Sequence, residues 1–128
     1  LSRAMLDQAR QSGAYRNLTH ADIGAYLDKA SSAADLILAA DVFIYVGDLA
    51  AVFAGVRRRL APGGCFAFTV EASPDQDLRL LPSLRYAHSE AYLRRLAAEH
   101  GFVVDRILGA PLREDQGVPV AGLYAYLS

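Results

Sequence analysis

Apolar positions along the chain follow two rhythms. Leu49, Val52, Phe53, Val56 and Leu60 recur at helical spacing, whereas Leu36-Ile37-Leu38 and the run from Cys65 to Val70 are short and continuous. Continuous apolar runs predict strands covered on both faces, and their alternation with helical segments predicts an α/β fold with a mostly parallel sheet. No repeat, low-complexity tract or linker interrupts the pattern, so residues 1–128 read as a single domain.

Local signals place the elements. Ser2 caps a first helix with Met5, Leu6 and Ala9 on one face, and Gly13 lies just past its end. Asn17 to Ala21 reads as a short extended stretch. Asp22 then caps a short helix whose apolar side is Ile23, Tyr26 and Leu27, and Ser31-Ser32 makes a polar turn. Asp35 to Ala40 reads as a buried strand, and Asp48 as the cap of a helix whose Arg57, Arg58 and Arg59 face mostly outward. Ala61-Pro62-Gly63-Gly64 ends that helix in a tight turn before a strand from Cys65 to Val70. Ser73 to Arg85 is a long polar connection and a candidate lid or substrate loop. Ser89 caps a helix with Tyr92, Leu93, Leu96 and Ala97 inward, and Gly101 ends it. Phe102 to Leu108 and Val120 to Leu127 read as two antiparallel strands joined by the loop Arg113 to Gly117.

Composition narrows the classes of function. With 53% hydrophobic and 21% charged residues there is apolar material for a core. A net charge of -1 provides no field to gather nucleic acid or an anionic membrane. Arg57 to Arg59, without interleaved aromatics, reads as a solvated helix face. No apolar run reaches the roughly 18 residues of a membrane span. One cysteine, Cys65, excludes an internal disulfide, fits a reducing cytoplasm and, at a buried strand start, reads as core. No His/Cys/Asp cluster has metal-ligand spacing. The sequon Asn17-Leu18-Thr19 has no secretory signal to support its use.

The stretch Ala34 to Glu71 (ADLILAADVFIYVGDLAAVFAGVRRRLAPGGCFAFTVE) resembles class I S-adenosylmethionine (SAM)-dependent methyltransferases. It carries a D-L-I-L strand with a carboxylate, Asp41, at its end. A helix, the turn Leu60-Ala61-Pro62-Gly63-Gly64 and a strand ending at Glu71 follow. The run Asp41 to Leu49 (DVFIYVGDL) looks particularly like methyltransferases fused to TPR repeats. Leu1 to Arg10 is similar to the family helix that follows the second strand, His20-Ala21-Asp22-Ile23 to the adenine-binding turn, and Ser89 to Leu127 to the closing antiparallel end. The resemblance implies a Rossmann-like three-layer sheet, SAM as cofactor, and a small molecule or protein as methyl acceptor.

It also implies what is lacking. The glycine-rich loop that wraps the methionine part of SAM, and the acidic residue expected at the ribose, would precede Leu1, together with the first strands. In the family sheet the first two strands lie between the third and fourth, so the Asp35 to Ala40 strand is expected to have an unpaired edge. A contracted sheet or a homodimer would cover it. A nicotinamide dehydrogenase would need the same absent loop. A phospho-receiver fails because no acidic pair lies on an early strand and Lys29, the only lysine, is not at a strand end. A non-catalytic assembly module of the same fold is the second reading.

Candidate site residues follow from the resemblance and from the rule that ligands lie beyond the carboxyl ends of strands. Asp22 and Ile23 would meet the adenine, and Ala40, Asp41 and Val42 the SAM amino group or the acceptor; Asp22 also reads as a plain helix cap, and Asp41 as a strand-end carboxylate that caps a turn. Phe43 and Tyr45 would form pocket walls, since a sulfonium methyl is drawn to aromatic faces, though Phe43 reads equally as core. Tyr45, Glu71 and His88 are the groups that could take a proton from an acceptor. His88, expected in a loop, also reads as an ordinary cap or surface residue, and His20 as near the adenine or exposed.

Overall fold

The sheet is organised by its longest strand, β2 (Leu60–Ala72). In the computed structural model, which describes residues 2–29 and 32–128, β2 pairs in parallel with β1 (Ala34–Ala39) and β4 (Tyr86–His88). On its other side it runs antiparallel to β6 (Val118–Leu127), which pairs antiparallel with β5 (Val104–Asp115). A short β3 (Leu78–Leu80) adds antiparallel to β4. The sheet is therefore mixed, with its parallel character confined to β1, β2 and β4. The expected polar turn at Ser31-Ser32 falls partly outside the described residues.

Among the described residues four α-helices accompany it: α1 (Arg3–Ser12), α2 (Ile23–Lys29), α3 (Ala50–Arg59) and α4 (Glu90–Glu99). Ser2 caps α1 through the Met5 amide and Ser89 caps α4 through the Tyr92 amide, as their sequence positions predict. Asp48 accepts from the Ala50 amide at 2.9 Å, but the residue at the cap position of α3 is Leu49, one place later than expected. Asn17 to Ala21 forms no strand.

Alternation along the strands decides where the core lies. Phe66, Phe68 and Val70 of β2, with Leu127 and Ala125 of β6, face α3 and α4 and are buried. All five phenylalanines of the chain meet here: Phe53 of α3 lies 5.7 Å, ring to ring, from each of Phe66, Phe68 and Phe102, and Phe43 is 5.4 Å from Phe68. The edge-to-face geometry suits the ring quadrupoles and adds to the burial.

The opposite face departs from expectation. Leu36 and Leu38, expected to be covered on both sides, are 60% and 67% exposed, because α1 contributes no buried residue to a second helical layer. Their strand alternates: Ile37 and Ala39 pack on the core, while Leu36 and Leu38 point the other way. Among the described residues β1 pairs only with β2, so its second edge is open and the contracted sheet is not formed.

Three local readings also change. Ala61 to Gly64 does not separate helix from strand but bows out within β2, between the pairs Ala34–Leu60 and Leu36–Cys65; Gly63, at φ 76°, supplies the left-handed residue that this detour needs. Of the three arginines, Arg58 is exposed beside Asp28 and Arg57 lies over the Phe102 ring, whereas Arg59 is buried. The polar connection from Ser73 to Arg85 contains β3. It is tied down where the Ser73 amide donates to the His88 carbonyl and Arg95 meets Asp77.

Candidate functional site

Because β1 and β2 are parallel and adjacent, their carboxyl ends open on the same edge of the sheet. Asp41, two residues beyond β1, has φ 52°, a left-handed conformation that aspartate tolerates better than most residues. Its amide donates to Thr69 Oγ1 of β2 at 2.8 Å, which fixes the turn to the neighbouring strand. Glu71 stands at the end of β2 and is largely buried, with 13% of its side chain exposed.

Arg113, which the sequence pattern places in a turn, completes this arrangement. Arg113 of β5 places Nη1 2.7 Å from Asp41 Oδ1 and Nη2 3.0 Å from Glu71 Oε2. One planar guanidinium thus bridges two carboxylates from two strands, in the fork geometry that lysine cannot reproduce. The sequence offers no signal for this pairing, since it depends on strand register between segments far apart in the chain.

The other sequence candidates are distributed differently. Asp22 caps α2, accepting from the Ala25 amide at 3.2 Å, and is exposed. Ile23 is half-buried and lines an apolar cavity of about 550 Å³. That cavity runs beside Ile37, Leu38 and Ala39 of β1 and reaches Val42 and Phe43; none of the side chains lining it is charged. Ala40 is exposed, and Val42 borders the cavity. Phe43 is both core and cavity wall, whereas Tyr45, in a single 3₁₀ turn with Ile44, is 70% exposed and lines no part of the cavity.

His88 is neither a loop nor a surface residue. It belongs to β4, is completely buried, and pairs in register with Ala72, so its side chain points to the helical face of the sheet, away from Glu71. Nε2–H donates to the Gly47 carbonyl at 2.8 Å, and the ring stacks on Tyr92 at 5.9 Å. Burial pushes its pKa below the ordinary histidine value, against the smaller opposing pull of the Gly47 and Val46 carbonyls. Nearby, the Ala50 amide and then the Tyr92 hydroxyl hold Asp48 below the usual carboxylate range. Burial raises Tyr92, whose hydroxyl lies 3.0 Å from Asp48 and accepts from the Leu49 amide. Among the described residues no group of three or more His, Cys, Asp or Glu side chains is arranged to hold a metal, and no helix is long and apolar enough to cross a membrane.

Comparison with known proteins assigns the class. The family described as methyltransferase domain matches residues 1–68, more than half of the chain, and the chain belongs to it. A dimethylglycine N-methyltransferase of Parasynechococcus marenigrum (strain WH8102) is 46% identical over 46 residues, 36% of this chain and 16% of that protein. The chain therefore spans only a small part of that curated relative. A SAM-dependent methyltransferase of Methanosarcina mazei superposes with a TM-score of 0.71 at 14% identity, covering 98% of this chain and 77% of that one. The N-methyltransferase NodS of Bradyrhizobium japonicum, solved with S-adenosylhomocysteine (SAH), gives 0.70 at 17% identity over 99% of this chain and 62% of its own. These likenesses establish a Rossmann-like methyltransferase fold, the α/β class expected from the sequence.

Proposed function

We propose that this chain takes part in methyl transfer from SAM, with the cofactor beside the carboxyl ends of β1 and β2 and the acceptor on the Glu71 side. The observation that carries the reading is the strained Asp41 turn joined to Glu71 through Arg113 at that edge, where α/β sheets hold ligands. Its membership of the methyltransferase domain family supports the same reading.

The residues fit one end of the cofactor. The uncharged cavity wall at Ala21, Ile23 and Val42 suits the adenine ring, with Asp22 at the adjacent helix start to meet its amino group. Ala40 and Asp41 would face the amino-acid end. The glycine-rich loop expected to wrap the methionine part is not among residues 1–128, and these residues supply the remaining contacts. When bound, SAM supplies an electrophilic methyl on a sulfonium. The chain's own contribution is alignment, together with a carboxylate at Glu71 able to accept a proton from the acceptor. Tyr45, exposed on its 3₁₀ turn, has the freedom to close on an acceptor. His88 would act on the site only by holding Gly47.

A nitrogen acceptor, on a small molecule or a protein, is the favoured class, since named relatives are N-methyltransferases. The reading extends to a cytoplasmic setting for the single half-buried Cys65 and to kinship with methyltransferases fused to TPR repeats through Asp41 to Leu49. Calorimetric titration decides the central point. SAM and SAH are expected to bind and NADH is not; heat from NADH, or none from SAH, would overturn the proposed methyl-transfer reading.

The open edge of β1 supports a homodimer that pairs this strand across two copies. Light scattering at increasing concentration is expected to give twice the monomer mass. Leu38→Lys, on the exposed face of the strand, is expected to return the monomer with the melting temperature little changed. A wild-type chain that stays monomeric removes the dimer from the reading.

A further inference from the structure

Arg113 reaches its two carboxylates because of an irregularity in the β5–β6 ladder. Pro111 pairs with Ala121 and Arg113 with Val120, so Leu112 is an extra residue on β5, a bulge. The space for it lies opposite, at Gly122. A Cβ on Gly122 would overlap the Leu112 side chain, so only glycine lets Leu112 fold over β6. Gly122 pairs in register with both Ala110 of β5 and Glu71 of β2, which puts the bulge directly beside the strand that ends in the site. Tyr124 fixes the approach to the bulge from the other side, its hydroxyl donating to the Pro111 carbonyl at 3.1 Å.

A bulge bends its strand and re-aims the side chain that follows it. Here that side chain is Arg113, turned toward the ends of β1 and β2. Asp41 is 52% exposed in its side chain and sits in a left-handed turn, so little besides Arg113 and Thr69 holds it in place. Glu71, more buried, needs a partner for its charge, and Arg113 supplies it.

We propose that Arg113 is the positioning residue of this edge: its fork fixes the Asp41 turn and the Glu71 carboxylate in one arrangement, and the Leu112 bulge over Gly122 aims it. The proposal rests on the methyl-transfer reading for its purpose, since Asp41 and Glu71 are the groups assigned to cofactor and acceptor. It adds a residue and a device that act through them without touching either ligand.

The experiment uses the full chain, labelled with ¹⁵N, and its variants Arg113→Ala, Arg113→Lys and Gly122→Ala. Amide hydrogen exchange is read at Asp41, whose N–H is held by Thr69, against Ala125 in the core of β6. Loss of the fork is expected to speed exchange at Asp41 about tenfold with Ala125 and the melting temperature nearly unchanged, the signature of a local opening. Arg113→Lys, which keeps the charge but not the two parallel bonds, is expected to fail as a rescue. Gly122→Ala is expected to reproduce Arg113→Ala by dislodging Leu112; should it not fold, the two Arg113 variants carry the test. Unchanged exchange at Asp41 in folded Arg113→Ala, or full rescue by lysine, would overturn the proposal.

A titration with SAH separates it from the reading on which it rests. Weakening by about tenfold in Arg113→Ala supports both, and equal affinity in wild type and variant ends the positioning role. If the wild type does not bind SAH, the methyl-transfer reading fails, and the exchange data still decide whether Arg113 orders the edge.

Discussion

Phe53→Ala is expected to lower the free energy of unfolding by about 3–5 kcal/mol, the usual cost of truncating a buried aromatic ring. Phe53 is fully buried in the middle of α3 and its ring meets Phe66, Phe68 and Phe102, which come from two other parts of the chain. Truncation removes the ring's own burial and leaves three rings facing a void that close-packed neighbours cannot fill. A domain of this size has about 5–15 kcal/mol of stability in all, so the variant would be near the limit of folding. Phe53→Leu, which keeps most of the volume, is expected to cost less than half as much. Urea denaturation of the three proteins measures both values. A loss below about 1 kcal/mol in Phe53→Ala would mean that the five-ring cluster is not the core of the fold.

Acid sensitivity from His88 is the second large effect. Its folded pKa lies below the ordinary value, so the neutral ring is the form that the fold prefers. As pH falls below about 6.5 the unfolded chain takes up a proton that the folded chain resists, and stability declines. The contribution is present above the unfolded pKa and is lost as pH falls through the folded one. The slope is at most about 1.4 kcal/mol per pH unit for one proton. Between pH 7.5 and 5 the wild type is expected to lose stability by no more than about 2 kcal/mol from this group. His88→Gln keeps a donor for the Gly47 carbonyl and cannot titrate. It is expected to be weaker than wild type at neutral pH yet nearly flat over the same interval. If its profile keeps the wild-type slope, the acid sensitivity belongs to other groups.

The sequence was most readable where one helix face or one cap decided the outcome. The burial of Leu49, Val52, Phe53, Val56 and Leu60, and of Tyr92, Leu93, Leu96 and Ala97, follows their spacing, and Ser2 and Ser89 cap the helices that their positions predict. What depended on the far side of the sheet was not readable. Leu36-Ile37-Leu38 has the apolar continuity of a strand covered twice, yet continuity records only the side chains and not what lies against them. His88 illustrates the same limit in reverse. A polar residue next to a helix cap looks solvated until the pairing of β4 with β2 turns it inward.

The positions of Asp41 and Glu71 are legible because a strand end can be located from the residues around it. Their partner is not, because Arg113 stands 72 residues from Asp41 and its direction depends on one extra residue in β5 opposite one glycine in β6. A two-residue reverse turn at Gln116-Gly117, both with positive φ, joins the two strands, so the hairpin is longer than the loop Arg113 to Gly117 had suggested.

The place of β6 between β2 and β5 has a consequence for how the chain is made. During synthesis β2 emerges long before β6, and Phe66 must wait for Leu127 to become its neighbour. Until then one edge of β2 lacks its partner strand, and its unpaired backbone groups are open to pairing with other nascent chains. Pausing of translation before β6 is therefore expected to prolong the exposure of that edge and to increase aggregation.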